Sequence, residues 1–278
     1  MAVNLATKYE GMLEQPFTHE SLIKNRCTTK YKFTGAKTIV LLTAVTQALG
    51  DYTRSGSNRF GNPTEVQDTK QELTLSQDKA FSLTVDKGNL NDQAFAKETG
   101  KVVKAQMSEQ NVPFWDKYSL GVWAAGAPAE SVKATLDKDT VYSEIVAARK
   151  AFVNNKIKVA EKDCTCYISA SNYALLLDNP KFVSADKLNE KLLTAGVVGA
   201  CSGFLIVEVP DDMMPANTHM LFTHREAAAY VRKLSSLYIR NDAPGIDGAL
   251  IEGREYGDAF VIDAKKGGIF KTTTQSTL

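Results

Sequence analysis

The sequence predicts an α+β protein, and three observations carry that expectation. Two β-type stretches flank a Gly/Asn/Arg-rich loop in the first third of the chain. A long amphipathic helix follows them, and the last third alternates short strands with turns. A long hairpin with so polar a tip cannot close a core by itself. Its exposed edges invite pairing with another chain, so the layout is that of a subunit completed by its neighbours.

Residues 1–35 read as an arm rather than a core segment, because Gly11 and Pro16 interrupt it and its apolar residues are scattered. From Lys24 to Lys37 there are five basic residues (Lys24, Arg26, Lys30, Lys32 and Lys37) and no acid. Such a run is either a solvated face or a contact with an acidic neighbour or with packaged nucleic acid. Residues 36–88 form the hairpin region. The β stretch Thr38–Val45 precedes the loop Gly50–Pro63, and alternating strands resume at Leu73, Leu75, Phe81, Leu83 and Val85. Ser76–Lys79 is expected to be a tight turn between two of these strands, and Gly88-Asn89 ends the pattern.

Asn91 or Asp92 can cap the long helix. Phe95, Thr99, Val102, Val103, Gln106 and Met107 recur at helical spacing opposite Lys97, Glu98, Lys101, Lys104 and Glu109. Gly100 weakens this helix, and Pro113 is expected to kink or end it. Phe114, Trp115, Tyr118, Leu120, Val122 and Trp123 then pack as core, and Gly126–Glu130 reads as a linker. Asp139 is the expected cap of a second helix with Val141, Ile145, Ala148 and Phe152 on one face. A strand at Cys164–Ile168, a short helix from Ser171 to before Pro180 and a helix from Ser184 to Gly196 follow. A strand Gly203–Val209 closed by Pro210, a strand near Met220–Phe222 and a helix over Arg225–Arg232 complete one α+β lobe, 139–232. The remainder reads as strands Leu237–Arg240, Ala249–Ile251, Ala259–Ile262 and Ile269–Lys271. Turns separate them at Asn241–Gly245 and Ala264–Gly268, and a loose polar tail runs from Thr272 to Leu278.

Composition sets bounds. The 278 residues carry a net charge of +1, with 44% hydrophobic and 23% charged residues. That is ordinary for a globular protein and gives no global attraction to nucleic acid or anionic membrane. The most apolar run, Thr38–Val45, is far short of a membrane span, and Met1–Lys8 lacks a charged-then-apolar leader pattern. A cytoplasmic protein is the expectation. Cys164 and Cys166 share one face of a strand, at a spacing that matches neither zinc nor redox motifs. With Cys27 and Cys201 they are expected to be free, packed thiols. Of the three histidines, His19 lies in the arm, and His219 and His224 flank a strand with no carboxylate between them. HExxH, GxSxG and a phosphate-cradling loop with Lys-Ser/Thr are all missing. Gly196, Gly199 and Gly203 precede a strand instead of bridging strand and helix, which is the wrong context for a nucleotide loop. Glu252, Glu255 and Asp258 are close enough for acid–base work, but Arg254 lies among them as at many strand ends. No catalytic residue, cofactor or metal is expected, and the chain is not expected to be an enzyme.

Three stretches, Leu73–Asp92, Gly196–Pro210 and Tyr238–Phe270, together resemble the major capsid protein of tailed bacteriophages, the Hong Kong 97-type shell fold. They look like, in order, the return strand of the extended loop running into the spine helix, the strand pair of the axial domain, and the peripheral-domain strands. The resemblance implies an N-terminal arm at 1–35, an extended loop at 36–88, a peripheral domain at 89–138 plus 233–278, and an axial domain at 139–232. It also implies pentamers and hexamers of this chain in an icosahedral shell around double-stranded DNA, held by weak non-specific contact. The implied location is the virion, assembled in the bacterial host cytoplasm without a membrane. Implied partners are a separate scaffolding protein, if the chain begins at its natural Met1 with no coiled-coil scaffold segment before it, and portal and head-completion proteins. Arg54, Arg59 and Phe60 at the loop tip are the expected inter-subunit contacts, because arginine and aromatics dominate interface energy. Lys24, Arg26, Lys30, Lys32 and Lys37 are expected to face the shell interior or a neighbour. Some family members cross-link covalently through a lysine at the loop tip. Here the tip Gly50–Pro63 has no lysine, and a guanidinium cannot replace the amine, so non-covalent locking is expected. The alternatives are an encapsulin-like nanocompartment shell enclosing cargo enzymes and, last, an enzyme of plain α+β fold.

Overall fold

The computed structural model describes residues 20–34, 36–86, 99–180, 182, 197–241, 243–245 and 247–275. Phe33–Leu75 forms one compact unit, and the rest of the described chain forms a second. In the first unit, β1 (Thr38–Ala44) pairs antiparallel with β2 (Asp68–Thr74), in register from Thr38↔Thr74 to Ala44↔Asp68. The second unit takes in the described residues up to Lys32 and those from Ser76 onward, and contains β3 (Gln77–Asp86), α1 (Thr99–Gln106), a π-helical turn (Met107–Asn111), α2 (Val112–Ala125), β4 (Glu130–Val132) and α3 (Lys138–Asn154). It continues with β5 (Cys164–Ser169), α4 (Ala170–Leu177), β6 (Val197–Cys201), β7 (Phe204–Val209), β8 (Thr218–His224), β9 (Ala228–Arg240), β10 (Gly248–Val261), a 3₁₀ turn (Asp263–Gly268) and β11 (Ile269–Thr273). β3, β10 and β9 make an antiparallel sheet, and β4-β11-β8-β5-β7-β6 make a mixed six-stranded sheet.

Side chains alternate across the six-stranded sheet, and each face carries its own core. Cys164, Cys166 and Ile168 of β5 join Phe204, Ile206, Met220 and Phe222 on one face. That face is covered by Val141, Ile145, Ala148 and Phe152 of α3, all fully buried. Tyr167, between them in β5, belongs to the other core with Val207, Leu221, Leu120 and Trp123. Lys271 and Glu130 are register partners across β11 and β4, and they form a buried ion pair at 3.4 Å.

Several sequence expectations give way to tertiary structure. Ser76–Lys79 is not a turn between paired strands. Leu75 N–H donates to Lys37 O and closes the β1–β2 ladder, whereas β3 starts at Gln77 and pairs with β10. Pro113 does not end its helix. Val112 N–H donates to Met107 O, a wide turn placed just before the proline ring, and Asn111 (φ −70°, ψ −48°) and Val112 (φ −62°, ψ −51°) stay helical. A π-turn of this kind absorbs the missing donor. Asp137, not Asp139, caps α3: its carboxylate accepts from Asp139 N and Thr140 N, and the Thr140 hydroxyl accepts from Asp137 N.

Arg225–Arg232 is not a helix. Ala228 and Ala229 are fully buried in β9, where Thr28 N–H donates to Ala228 O at 2.8 Å and Tyr230 N–H donates to Thr28 O at 3.1 Å. Strand pairing overrides the alanines' helical propensity. Ala249–Ile251 and Ala259–Val261 belong to one strand of 14 residues, and Ile262 lies just past its end. Its interior glycines admit neighbours: a Cβ at Gly253 would lie 2.2 Å from Phe81 Cε1, and one at Gly257, beside a bulge, 2.5 Å from Val231 O. Thr272 and Thr273 are buried in β11 rather than loose, and Glu130 opens a strand rather than closing a linker. β9 runs across residue 232, and β4 and β11 lie in the same sheet as β5 to β8. Gly11, Pro16, His19, the capping residues Asn91 and Asp92, Phe95, Lys97, Glu98 and the helix expected over Ser184–Gly196 lie outside the described residues.

Candidate assembly surface

The tip of the β1–β2 hairpin is exposed throughout, and its hydrogen bonds are local. Thr53 N–H donates to Arg59 O at 3.1 Å, Gly61 N–H donates to Asn58 O at 2.9 Å, and Arg59 Nε donates to Gly56 O at 3.2 Å. Asn58 at φ +57°, Gly56 at +86° and Gly61 at +81° supply the left-handed positions these turns require. The three residues expected as contacts all sit here. Arg54, Arg59 and Phe60 are solvent-exposed, with Phe60 93% accessible and its ring edge-on to Tyr52 at 5.0 Å. Leu49, Val66, Val40 and Leu42 are exposed on the same hairpin. Large contiguous exposed apolar patches are a feature of interaction surfaces.

The basic stretch divides. Lys24, Lys30, Lys32 and Lys37 are exposed, but Arg26 is buried. Its Nη1 donates to Leu22 O at 3.0 Å, and burial pulls the guanidinium below its ordinary pKa while Tyr167 and Asp116 oppose that shift. Arg26 therefore faces the subunit's own interior. The surrounding turn does the same, because Leu22, Ile23 and Cys27 belong to the core around Trp123. Asp116 of α2 anchors this turn by accepting from Leu22 N–H at 2.6 Å and from Ser21 Oγ at 2.8 Å. Sequence reading missed Asp116; the polar spacing of Asp116 among aromatics in α2 was its only trace. It also missed the exposed apolar end of β9, where Leu234, Leu237, Tyr238 and Ile239 are open to solvent.

Two of the three candidate acid–base residues are committed to structure, and the third, Glu252, pairs with Arg240 at the surface at 3.7 Å. Glu255 is buried, accepts from Trp115 Nε1 at 2.5 Å and lies 3.5 Å from Arg232. Asp258 accepts from Tyr118 Oη and Ser76 N, both at 2.7 Å. Arg254 pairs with Asp78 at the surface. All four cysteines are free and buried, and burial pushes the Cys27 thiol up to about 12, far from a reactive thiolate. Among the described residues no group of three or more His, Cys, Asp and Glu is placed to hold a metal, and no helix is long and apolar enough to cross a membrane.

No protein-family model matches the sequence, and the comparison with curated proteins finds no match. Solved structures do match along nearly the whole chain. A chain of Mycobacterium phage Che8 is 18% identical with a TM-score of 0.77, covering 99% of each chain. The mature capsid of bacteriophage PhiM1 gives 14% identity and a TM-score of 0.71, over 96% of this chain and 91% of that one. The capsid of Cyanophage P-SCSP1u gives 10% identity and a TM-score of 0.72, over 97% and 93%. The chain has the mixed α+β fold of the Hong Kong 97-type phage capsid proteins.

Proposed function

We propose that this chain is the major capsid subunit of a tailed bacteriophage, assembling into pentamers and hexamers of an icosahedral shell around double-stranded DNA. The observation that carries the reading is the end-to-end likeness to phage capsid chains, together with a hairpin that leaves Val40, Leu42, Leu49, Phe60 and Val66 exposed. Rings form when head-to-tail contacts close by rotation, and shells of obligate contacts bury more than ~2,000 Å² per interface. In this reading Arg54, Arg59 and Phe60 contact a neighbour. The segments 1–35, 36–88, 89–138 with 233–278, and 139–232 serve as arm, extended loop, peripheral domain and axial domain. The subunit has no catalytic task. A scaffolding protein, portal and head-completion proteins act on it in the host cytoplasm, and it ends in the virion. Electron microscopy of the purified chain tests this: closed shells or capsomer rings are expected. A particle that stays monomeric in light scattering at high concentration, with scaffold present, would overturn it.

A further inference from the structure

Four separate segments of the second unit converge on one basic surface. The segments 30–32, 155–163, 224–226 and 263–268 hold eight Lys/Arg and four Asp/Glu, in a chain whose overall charge is only +1. At its centre is an open cavity of about 290 Å³ lined by Asn155, Lys158, His224, Lys265 and the Gly267-Gly268 backbone. The two glycines make this floor. A Cβ at Gly268 would come within 2.9 Å of His224 Cβ, and one at Gly267 within 3.1 Å of Asn155 Nδ2, which donates to Gly267 O. Lys265 is tied to Glu226, and Lys30 also acts on that carboxylate, bringing one cation of the basic stretch to the same place. Lys158 and Lys266 are exposed at the cavity and beside it. Glu226 N–H donates to His224 Nδ1 at 3.2 Å, which leaves the ring proton on Nε2. Burial holds this histidine below its ordinary pKa, so it supplies a hydrogen bond rather than a charge at neutral pH.

We infer that this surface binds the phosphodiester backbone of duplex DNA without regard to sequence, through Lys30, Lys158 and Lys266, while Lys265 neutralises Glu226 beside them. The inference rests on the capsid reading for its biological setting, but its chemistry is read from the site. Lysine is depleted at protein–protein interfaces and serves as a point charge for phosphate. Protein-binding surfaces centre on apolar or aromatic anchors, and only Ile157 and Ala264 are apolar here. The basic stretch was therefore half the signal; the other half comes from sequence more than a hundred residues away.

The test uses the full chain and a labelled duplex of about 20 base pairs, followed by fluorescence anisotropy at rising salt. Each neutralised phosphate steepens the log–log salt slope by about 0.9. The variant Lys30→Gln/Lys158→Gln/Lys266→Gln is expected to bind with a slope shallower by about 2–3, with circular dichroism unchanged. The corresponding Lys→Arg variant is expected to keep the parent slope. So is Lys104→Gln/Lys117→Gln/Lys138→Gln, which removes equal charge elsewhere. An unchanged slope in the first variant, or an equal drop in the control, overturns the inference. Binding of inorganic phosphate alone, with no duplex binding, overturns it in favour of a small-anion site. Shell formation by microscopy is scored separately, so failed DNA binding with intact shells refutes this site and not the capsid reading.

Discussion

Asp116 is 1% exposed, yet it accepts two hydrogen bonds from a turn 94 and 95 residues away in sequence. Burial raises its pKa; the Leu22 and Ser21 donors and Arg26 oppose that rise without cancelling it. Arg26, Cys27, Tyr167 and Tyr230 are the other titratable groups that feel this carboxylate. Because the folded-state pKa lies above that of the unfolded chain, the folded protein takes up the proton first as pH falls. Asp116 thus favours the fold fully below the unfolded carboxylate value of ~3.9, and that contribution is lost as pH rises through the folded value. Asp116→Ala leaves a buried backbone donor unmet, at a cost of about 1–3 kcal/mol at pH 7. Urea unfolding should also show the gap between parent and variant widening from pH 7 toward pH 4; a gap that narrows would contradict the burial argument. None of this was legible in sequence. An aspartate in a helix and a basic arm look independent until the fold brings Leu22 under Trp123. Local periodicity did expose Val141, Ile145, Ala148 and Phe152, because one helix face is written in one stretch of chain.

Elements whose character is set locally were legible, and those set by a distant partner were not. The β1 stretch, α3, β5 and β7 each carry their own pattern. β9 begins in an alanine-rich run that only β10 and Thr28 turn into a strand, and β10 hides behind glycines that make room for Phe81 and the Val231 backbone. The β1–β2 hairpin combines both kinds. Its strands pair in the first unit, while among the described residues its tip has only local hydrogen bonds and a Tyr52–Phe60 ring contact. Deleting Tyr52–Gly61 should therefore leave circular dichroism close to that of the parent and reduce or abolish particle yield. Loss of the fold would show that the tip supports its own subunit, and unchanged shells would show that it contacts nothing.

At the scale of the whole molecule, the chain's chemistry bears on how subunits can be joined. A covalent link through the hairpin needs a nucleophile, and Gly50–Pro63 offers Arg54 and Arg59 but no lysine. A guanidinium stays protonated and cannot attack an amide. As for disulfides, Cys27, Cys164, Cys166 and Cys201 are all free and buried. Non-covalent locking of a shell, by burial and polar contacts, is therefore the expectation. Exposed ion pairs contribute only ~0–1 kcal/mol each, which leaves the apolar hairpin surface, with Leu49 and Phe60 almost fully accessible, as the larger source. Particles boiled in detergent and reductant should accordingly run as a single band near the 30.4 kDa mass of the chain. A ladder that survives reduction, with mass spectrometry placing an isopeptide bond within Gly50–Pro63, would mean that a nucleophile from another segment reaches the tip, and the non-covalent account would fail.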